Sequence, residues 1–458
     1  MPLGGGERLS SVSLLCGDNV VKICAVTLGC DKNRVDTEIM LGLLTRAGFQ
    51  MTGDEREADV VLVNTCGFID AAKEESVNMI LELAGLKEHG RCKCLIVSGC
   101  LAQRYPGELR AEIPEIDALI GTGKVTDIVS VVQRSVAGEA VLDTGGLGSL
   151  CDRPLPRVRT TPVHTAYLKI AEGCNNRCGY CVIPSLRGPY RSRTMDSIIE
   201  EAIQLAGSGV REIILVAQDS TRYGRDLHDG TTLAGLLDRL AAVKGLYWIR
   251  LLYGYPNGIS DELIETIRTH GRICRYLDIP MQHASDSVLK RMGRPTTVDD
   301  LYRLVVRLRE GIDGLAIRST FMLGFPGETE DNVDNLVAFL REARLERAGF
   351  FVFSPQEGTR AAGMSGQVSE SVKRRRLARV AAVQKEISLA RNRSLVGKEL
   401  VVMAEGEVRG THFGRTEADA PEIDGIVYFS TRKPVPPGEL VPVRITGVKG
   451  AYDLKGQA

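Results

Sequence analysis

The chain has 458 residues, enough for two to four domains. Its 58 Lys and Arg residues balance 58 Asp and Glu residues, so net charge does not point to a nucleic-acid or membrane partner. No run approaches the roughly 18 consecutive apolar residues of a membrane-spanning helix. Residues 1–21 lack the basic start of a signal peptide and are expected to be a flexible leader. A cytoplasmic protein that does not engage a membrane is predicted.

Residues 22–136 alternate short apolar segments with helical ones and predict an N-terminal α/β domain. Three strands are expected, at Ile23–Leu28, Asp59–Thr65 and Cys94–Ser98. Near-continuous apolar strands separated by helices are typical of a parallel sheet with both faces covered. In such sheets, ligands bind beyond the carboxyl ends of the strands.

One cysteine follows each of these strands: Cys30, Cys66 and Cys100. Because parallel strands end at the same edge of a sheet, the three thiols are expected to converge there. This arrangement predicts an iron–sulfur cluster with three protein ligands and one open iron. Chance placement of the three cysteines is the alternative.

A linker rich in Gly and Pro is expected at residues 137–163, where no periodic pattern persists. Residues 164–392 then repeat a longer alternation of strands and helices. Six strands are predicted, at Ala166–Ile170, Glu212–Ala217, Trp248–Leu252, Arg275–Ile279, Ala316–Met322 and Phe350–Ser354. Six such units predict a partial (β/α)6 barrel with its active site at the carboxyl ends of the strands.

The loop after the first of these strands contains Cys174, Cys178 and Cys181. This close spacing lets one short loop place three thiolates around one iron–sulfur cube. Four cysteines would close all the irons of a [4Fe–4S] cluster, so three leave one iron open for a small molecule. A zinc knuckle would need a fourth ligand nearby, and the next cysteine is Cys274. A catalytic cluster is therefore predicted.

The end of the chain has a different character. A helix from Ser369 to about Leu395 carries the basic run 373–376, which is expected to lie on a solvated face. Residues 396–458 contain short strands between turns and predict a small antiparallel β-barrel. Its eight basic and nine acidic residues, with the acidic stretch Glu417–Asp424, favour a basic protein partner over RNA. The alternative is that one face is nevertheless basic.

The three-cysteine loop Cys174–Cys181, at the end of the first barrel strand, resembles that of the radical S-adenosylmethionine superfamily. The resemblance implies that a reduced cluster donates an electron to S-adenosylmethionine, and that the resulting 5′-deoxyadenosyl radical abstracts hydrogen from an unactivated carbon. With Cys30, Cys66 and Cys100 in an N-terminal domain and a TRAM-like barrel at the end, nearly the whole chain resembles the methylthiotransferases. That family implies two [4Fe–4S] clusters, the second of which supplies the inserted sulfur.

Local sequence favours one of two substrate classes in this family. Leu28–Glu38, Asn64–Ile69 and Arg415–Gly425 resemble the class that modifies the β-carbon of an aspartate in small-subunit ribosomal protein number twelve. Asp31 replaces the proline usual in that class. The alternatives are the class that modifies an adenosine of the tRNA anticodon loop, and an iron–sulfur redox sensor that binds the ribosome or RNA. The favoured class implies a reductant such as flavodoxin or ferredoxin and argues against nucleic acid as substrate.

Further cofactor contacts are expected at the mouth of the barrel. The residues are Tyr180, Gln218, Asp219, Thr320 and Gly324. Tyr180 is expected to lie against the adenine, as aromatic residues do at this position in the superfamily, with simple packing as the alternative. The glycine could equally serve only a turn. Gln282 and His283 are placed at the same mouth, where a lone histidine is as often structural as catalytic.

The other six cysteines are expected to be packed thiols without a ligand role. They are Cys16, Cys24, Cys92, Cys94, Cys151 and Cys274. Cys92 and Cys94 have the spacing of a ligand pair, but Cys94 opens an apolar strand. Twelve cysteines without an export signal favour metal chemistry in a reducing compartment.

Overall fold

A computed structural model describes residues 15–16, 19–148 and 153–458. The chain divides into two compact units. The first comprises Met1–Ser149 and Leu155–Thr160, and the second Leu150–Pro154 and Thr161–Ala458. Among the described residues, no helix is both long and apolar enough to cross a bilayer.

The first unit is built on a six-stranded sheet. Two short strands, β1 (Leu15–Cys16) and β2 (Asn19–Val20), pair antiparallel before it, and most of the predicted leader lies outside the described residues. The strands of the sheet are β3 (Lys22–Thr27), β4 (Gln50–Met51), β5 (Val60–Thr65), β6 (Cys94–Gly99), β7 (Ala118–Ile120) and β8 (Val141–Asp143). The helices are α1 (Asp31–Arg46), α2 (Asp70–Ala84), α3 (Leu86–His89), α4 (Cys100–Arg104), α5 (Pro106–Glu112) and α6 (Ile128–Val136).

This sheet is parallel throughout, in the order β4-β3-β5-β6-β7-β8. Successive residues of its central strands face opposite sides, so Leu62 packs beneath α1 and α6 whereas Val63 packs beneath α2 and α5. Burial of both faces explains the near-continuous apolar strands and confirms the predicted parallel α/β domain. Val141–Asp143 forms an edge strand, so the expectation of loop is wrong there; this strand is too short to show a period.

The second unit begins with another set of strands and helices. Its strands are β9 (Thr165–Lys169), β10 (Ala171–Glu172), β11 (Arg191–Ser192), β12 (Glu212–Val216), β13 (Trp248–Leu251), β14 (Ile273–Asp278), β15 (Ala316–Leu323) and β16 (Arg347–Val352). Its helices are α7 (Ile183–Arg187), α8 (Met195–Gly207), α9 (Leu233–Ala241), α10 (Asp261–Thr269), α11 (Asp286–Met292), α12 (Val298–Gly311), α13 (Glu330–Ala343) and α14 (Glu370–Ser394).

Six of these strands form a parallel sheet in the order β16-β15-β14-β13-β12-β9. Neighbours in sequence are neighbours in the sheet, as in a (β/α) barrel, which confirms the predicted partial barrel. The large hydrophobic core lies between these strands and the helices that follow them. β10 and β11 form a separate antiparallel pair.

The basic run on α14 is only partly solvated. Lys373 is 3% exposed and donates to the carbonyl oxygen of Phe353 (2.7 Å), and Arg376 is 6% exposed and pairs with Glu328 (2.9 Å). The expectation of a wholly solvated face is therefore wrong, because two of the four residues pack against the sheet side of the helix.

Five further strands close into a small barrel at the end of the chain. They are β17 (Glu399–Val408), β18 (Thr411–Thr416), β19 (Val427–Ser430), β20 (Leu440–Lys449) and β21 (Asp453–Gln457). The order around the barrel is β17-β18-β19-β21-β20, and every pairing is antiparallel except that of β19 with β21. The predicted TRAM-like barrel is confirmed, with one parallel contact.

The acidic stretch before β19 is only partly an open surface. Asp419 pairs with Arg347 (2.6 Å) and Asp424 with Arg318 (3.4 Å), and both carboxylates are buried, whereas Glu422 is exposed. Among residues 396–458, seven basic residues are exposed but only four acidic ones. The net acidic count of this segment therefore does not describe its surface, and the attraction of a basic protein to the stretch stays a prediction.

Buried ion pairs join this barrel to the end of the sheet at which the strands begin. Arg415 of β18 pairs with Glu212, the first residue of β12, at 2.6 Å, and with Glu405 at the same distance. Arg250 of β13 approaches the same Glu212 to 2.8 Å. Burial alone would raise the pKa of Glu212, but Arg415 and Arg250 lower it to about 2.

Candidate active site

Three cysteines follow neighbouring strands of the first sheet. Cys30 lies between β3 and α1, Cys66 follows β5, and Cys100 opens α4 directly after β6. The strand order reverses between β3 and β5, because β4 lies on the other side of β3. In open α/β sheets such a reversal marks the crevice where ligands bind, at the carboxyl ends of the strands. Cys30 and Cys66 therefore flank a favourable ligand position.

Glycines beside the cysteines let these loops approach closely. A Cβ atom at Gly29 would lie 2.8 Å from Cβ of Cys66, and one at Gly67 would lie 2.9 Å from the carbonyl oxygen of Cys100. The amide of Asn33 ties the first two loops together by donating to the carbonyl oxygens of Leu28 and Thr65, each at 3.0 Å. The three loops thus pack directly against one another.

Thiols occupy all three strand ends, and thiolates are the ligands of iron–sulfur clusters. Among the described residues, no three His, Cys, Asp or Glu side chains are close enough to share a single metal ion. A cube has a different requirement, because each cysteine binds its own iron at a separate corner. The donor set at Cys30, Cys66 and Cys100 therefore fits a cluster better than a single ion.

The second set of cysteines lies beyond β9 and β10. Cys174, Cys178 and Cys181 line one cavity of about 730 Å³. Burial raises the pKa of Cys174 to about 11 and that of Cys181 to about 12, so iron must displace protons when it binds. Three thiols on one cavity wall, with room beside them, fit a cluster with an open iron.

Backbone hydrogen bonds hold this loop across the mouth of the sheet. The amide of Gly179 donates to the carbonyl oxygen of Met292 (2.7 Å), and its carbonyl oxygen accepts from Ala361 (2.8 Å). Tyr180 is half-buried and directs its ring against the edge of Phe325, with centroids 6.5 Å apart. Packing thus accounts for part of this tyrosine, and its contact with adenine stays a prediction.

Gln218 and Asp219 follow β12 and face the cysteine loop. Asp219 is buried and accepts from the amide of Asn176 (2.9 Å) and the hydroxyl of Thr221 (2.7 Å). Gln218 donates to Glu172 (2.7 Å), and its Oε1 has no hydrogen-bond partner among the described residues. Two polar side chains are therefore oriented beside the loop, as the sequence suggested, and one acceptor remains available.

Glu172 pairs with two cations at this site. It pairs with Lys169 (2.6 Å) and Arg187 (2.8 Å) as well as accepting from Gln218. Burial alone would raise the pKa of Glu172, but the two cations hold it well below its usual range. Sequence reasoning missed Glu172, and its only signal was its position just before the cysteine loop.

The loops after β14 and β15 form the other side of the mouth. Gln282 has a left-handed backbone conformation (φ 71°), and its backbone N–H donates to the carbonyl oxygen of Thr320 (2.8 Å). Its side-chain Oε1 has no partner in the described structure. His283 is buried 3.3 Å from Glu328. Thr320 itself lies within β15 and is half-buried.

Glu328 also accepts from the amide of Gly324 (2.9 Å) and pairs with Arg376. Gly324 has φ 76°, and a Cβ there would overlap the side chain of Lys373. A turn and a packing contact therefore explain this glycine. His283 lies beside the same buried carboxylate. A catalytic role for His283 and a cofactor contact by Gly324 both stay predictions.

The remaining cysteines that the structure describes are packed. Cys24, Cys92, Cys94 and Cys274 are buried. Burial raises the pKa of Cys94 and of Cys274 to about 12, so both thiols stay protonated at neutral pH. Cys92 donates its thiol to the carbonyl oxygen of Cys94 and forms no ligand pair with it. The side chain of Cys16 and the whole of Cys151 lie outside the described residues.

Three family models match the chain in succession. They are an uncharacterized protein family, UPF0004, at residues 22–121, the radical SAM superfamily at residues 168–340, and the TRAM domain at residues 396–458. The ribosomal protein uS12 methylthiotransferase RimO of Desulforudis audaxviator is 56% identical over 95% of this chain and 96% of its own. This chain belongs to the uS12 methylthiotransferase family.

Other members of the uS12 methylthiotransferase family agree with this assignment. The protein of Pelotomaculum thermopropionicum is 52% identical over 95% of this chain and 99% of its own, and that of Heliobacterium modesticaldum is 49% identical over 96% and 95%. Among solved structures, the radical S-adenosylmethionine methyltransferase TsrM of Kitasatospora setae matches with a TM-score of 0.54 at 16% identity, covering 75% of this chain and 77% of that one. That similarity shows the shared fold.

Proposed function

We propose that this chain inserts a methylthio group at the β-carbon of an aspartate in small-subunit ribosomal protein number twelve. The observation that carries the proposal is the 56% identity to a uS12 methylthiotransferase across 95% of the chain. Two separate sets of three cysteines, one at three strand ends and one in a single loop, support it, because this reaction needs both a radical source and a sulfur source. When bound, one S-adenosylmethionine would supply the methyl group. A second would be cleaved to methionine and a 5′-deoxyadenosyl group, which would take the substrate hydrogen to give 5′-deoxyadenosine.

Each set of cysteines has its own role in this proposal. Cys174, Cys178 and Cys181 hold a [4Fe–4S] cluster that, when bound, supplies the electron for cleavage of S-adenosylmethionine. Cys30, Cys66 and Cys100 hold the second [4Fe–4S] cluster, from which the sulfur is taken. All six cysteines are metal ligands in this proposal, and Cys174, Cys178 and Cys181 are the catalytic set.

The remaining site residues bind and orient the cofactor. Asp219, a buried carboxylate fixed by Asn176, suits the cationic amino group of S-adenosylmethionine. Gln218 presents a free acceptor beside it, and Tyr180 lies against the adenine. Thr320 and Gly324 shape the opposite wall. An apolar cluster that includes Phe325 and Phe353 helps to exclude water from the radical.

The reaction also defines partners and a location. Electrons come from a small reducing protein such as flavodoxin or ferredoxin, because the two clusters are the redox groups of this proposal and an external donor must reduce them. A ribosomal substrate places the enzyme in the cytoplasm.

Iron content and product analysis test the two cluster roles. We expect about eight irons per reconstituted chain and about four after Cys30, Cys66 and Cys100 are all changed to Ala. That variant should still form 5′-deoxyadenosine but transfer no sulfur, whereas the matched variant of Cys174, Cys178 and Cys181 should do neither. Sulfur transfer by the first variant would refute the second cluster.

A tRNA adenosine methylthiotransferase is the second candidate, and the exposed basic residues of the terminal barrel favour it, since phosphate contacts dominate RNA binding. Anaerobic assays of the reconstituted enzyme with the ribosomal protein and with tRNA separate the two. Methylthio-adenosine in the tRNA, with unmodified ribosomal protein, would overturn our proposal.

A further inference from the structure

Six arginines are buried in the part of the chain that the structure describes. Five of them form an ion pair with a carboxylate, namely Arg187, Arg250, Arg347, Arg376 and Arg415. Arg294 is the sixth, and it has no carboxylate partner among the described residues. Because a buried cation without a counter-charge is costly, the exception suggests that a ligand supplies the anion.

The surroundings of Arg294 leave part of its guanidinium group available. The side chain is 6% exposed and lies over the ring of Tyr255, 4.3 Å from its centroid. Nη2 donates to the carbonyl oxygen of Pro280 (2.8 Å), and Nη1 lies 3.5 Å from the hydroxyl of Tyr180. Nε has no hydrogen-bond partner within the described residues. The acidic groups that act on this cation are the thiol of Cys178 and the hydroxyls of Tyr180 and Tyr255, none of them a carboxylate. No carboxylate in the described structure therefore offsets the charge, and one N–H donor has no acceptor.

These contacts place Arg294 at the catalytic end of the sheet. Tyr180 is the residue before Cys181, Tyr255 follows β13, and Pro280 follows β14. The guanidinium group thus lies between the cysteine loop and the carboxyl ends of two central strands. An anion bound there would lie beside the position at which the radical is formed.

We propose that Arg294 binds the carboxylate of the substrate aspartate. This inference rests on the proposed function and names the group that selects the substrate side chain. Guanidinium and carboxylate form strong charge-assisted hydrogen bonds, and an adenosine offers no such carboxylate. Holding the carboxylate fixes the neighbouring β-carbon, so Arg294 is both a specificity-determining and a positioning residue.

A thermodynamic cycle between enzyme and peptide tests this. The reconstituted full-length enzyme, wild type or Arg294→Gln, binds a fluorescent peptide containing either the target aspartate or asparagine, and affinity is read by anisotropy. We expect the wild type to prefer aspartate at least about tenfold, and Arg294→Gln to lose that preference, since hydrogen bonds to charged groups are worth at least that much. Arg294→Lys should recover part of it, because it keeps the charge but not the planar donor arrangement.

A control variant, the affinity for S-adenosylmethionine and the reduction potential of the cluster complete the test. Arg303→Gln is the matched control, because Arg303 is exposed on α12 and pairs with Asp300, and its aspartate preference should equal that of the wild type. The preference surviving in both Arg294 variants would overturn the proposal. So would weaker S-adenosylmethionine binding in the absence of peptide, which would assign Arg294 to the cofactor carboxylate, or a shifted cluster potential with unchanged peptide affinity.

The peptide cycle also separates this inference from the proposed function. If the wild type modifies the aspartate but the variants keep the preference, only the inference fails. If the wild type neither binds nor modifies the peptide, the proposed function fails with it. Iron content and circular dichroism of each variant verify that the fold and cluster are retained.

Discussion

The two ends of the second sheet differ in how their buried arginines are paired. Where the strands begin, Glu212 is shared by Arg250 and Arg415, and Asp419 pairs with Arg347. Where the strands end, Arg294 has no carboxylate partner in the described structure. Unpartnered polar atoms occur at both ends, namely Arg250 Nη2 and the ring nitrogens of His164 at the first end and atoms of Gln218, Gln282 and Arg294 at the second. The terminal barrel closes the first end with ion pairs, and the second, open end keeps a buried cation without a carboxylate.

Two residues at the open end have an unusual backbone conformation. Tyr253 and Gln282, which follow β13 and β14, have φ angles of 61° and 71°, a region that non-glycine residues rarely occupy. Such strain persists where the surrounding structure enforces it, often at functional sites. We therefore expect substitutions at the closed end to lower stability and substitutions at the open end to weaken ligand binding.

Arg415→Met should give the largest effect on stability. It leaves Glu212 and Glu405 with one cation fewer in a buried site, which costs about 3–5 kcal/mol of unfolding free energy. Denaturant unfolding measures the loss. The control is Arg444→Met, a substitution of an exposed arginine in the same barrel, with an expected change within about 0.5 kcal/mol. Equal effects of the two substitutions would refute the distinction between a closed and an open end.

Asp219→Asn should act at the other end, on activity. The lost charge weakens a hydrogen-bonded contact to S-adenosylmethionine, raising KM for the cofactor about tenfold or more, with a smaller change in unfolding free energy. Asp226→Asn is the control, because Asp226 also accepts two hydrogen bonds, both from Ser192, but lies outside the proposed site. A KM unchanged by Asp219→Asn would remove this residue from the cofactor site.

Acid should weaken the closed end in a defined interval. The pKa of Glu212 is about 2 in the folded chain against an ordinary value of 4.5, so its stabilisation is complete above about pH 4.5 and is lost as the pH falls towards 2. We expect Glu212→Gln to be less stable at neutral pH and to lose less further stability over this interval. Denaturant midpoints of unfolding, measured for both proteins between pH 5 and pH 2, test this. An identical slope in both proteins would contradict it.

Strand positions and cysteine spacing were predictable because they depend on local pattern. Continuous apolar runs predicted the central strands of both sheets, and the position of Cys30, Cys66 and Cys100 just after three of them followed directly. The short strands β4, β7 and β8 were missed because two or three residues cannot show a period.

Pairing between distant side chains was not predictable from one sequence. The sequence predicts that Asp419 and Asp424 lie on an acidic surface. They instead pair with Arg347 and Arg318, more than seventy residues away. Likewise, nothing near Arg294 in the sequence indicates that it would be the buried arginine without a carboxylate. Net charge of a segment therefore predicts its surface poorly when ion pairs bury one sign.

The glycines beside the first cysteine set bear on how the enzyme matures. Gly29 and Gly67 bring the loops together, and Asn33 fastens two of them with protein hydrogen bonds alone. The geometry of the loops is thus set by backbone and amide contacts, unlike a zinc finger, which folds only with its metal. We therefore expect that the proposed cluster can be inserted after folding, and that iron-free protein retains the circular dichroism of the reconstituted enzyme.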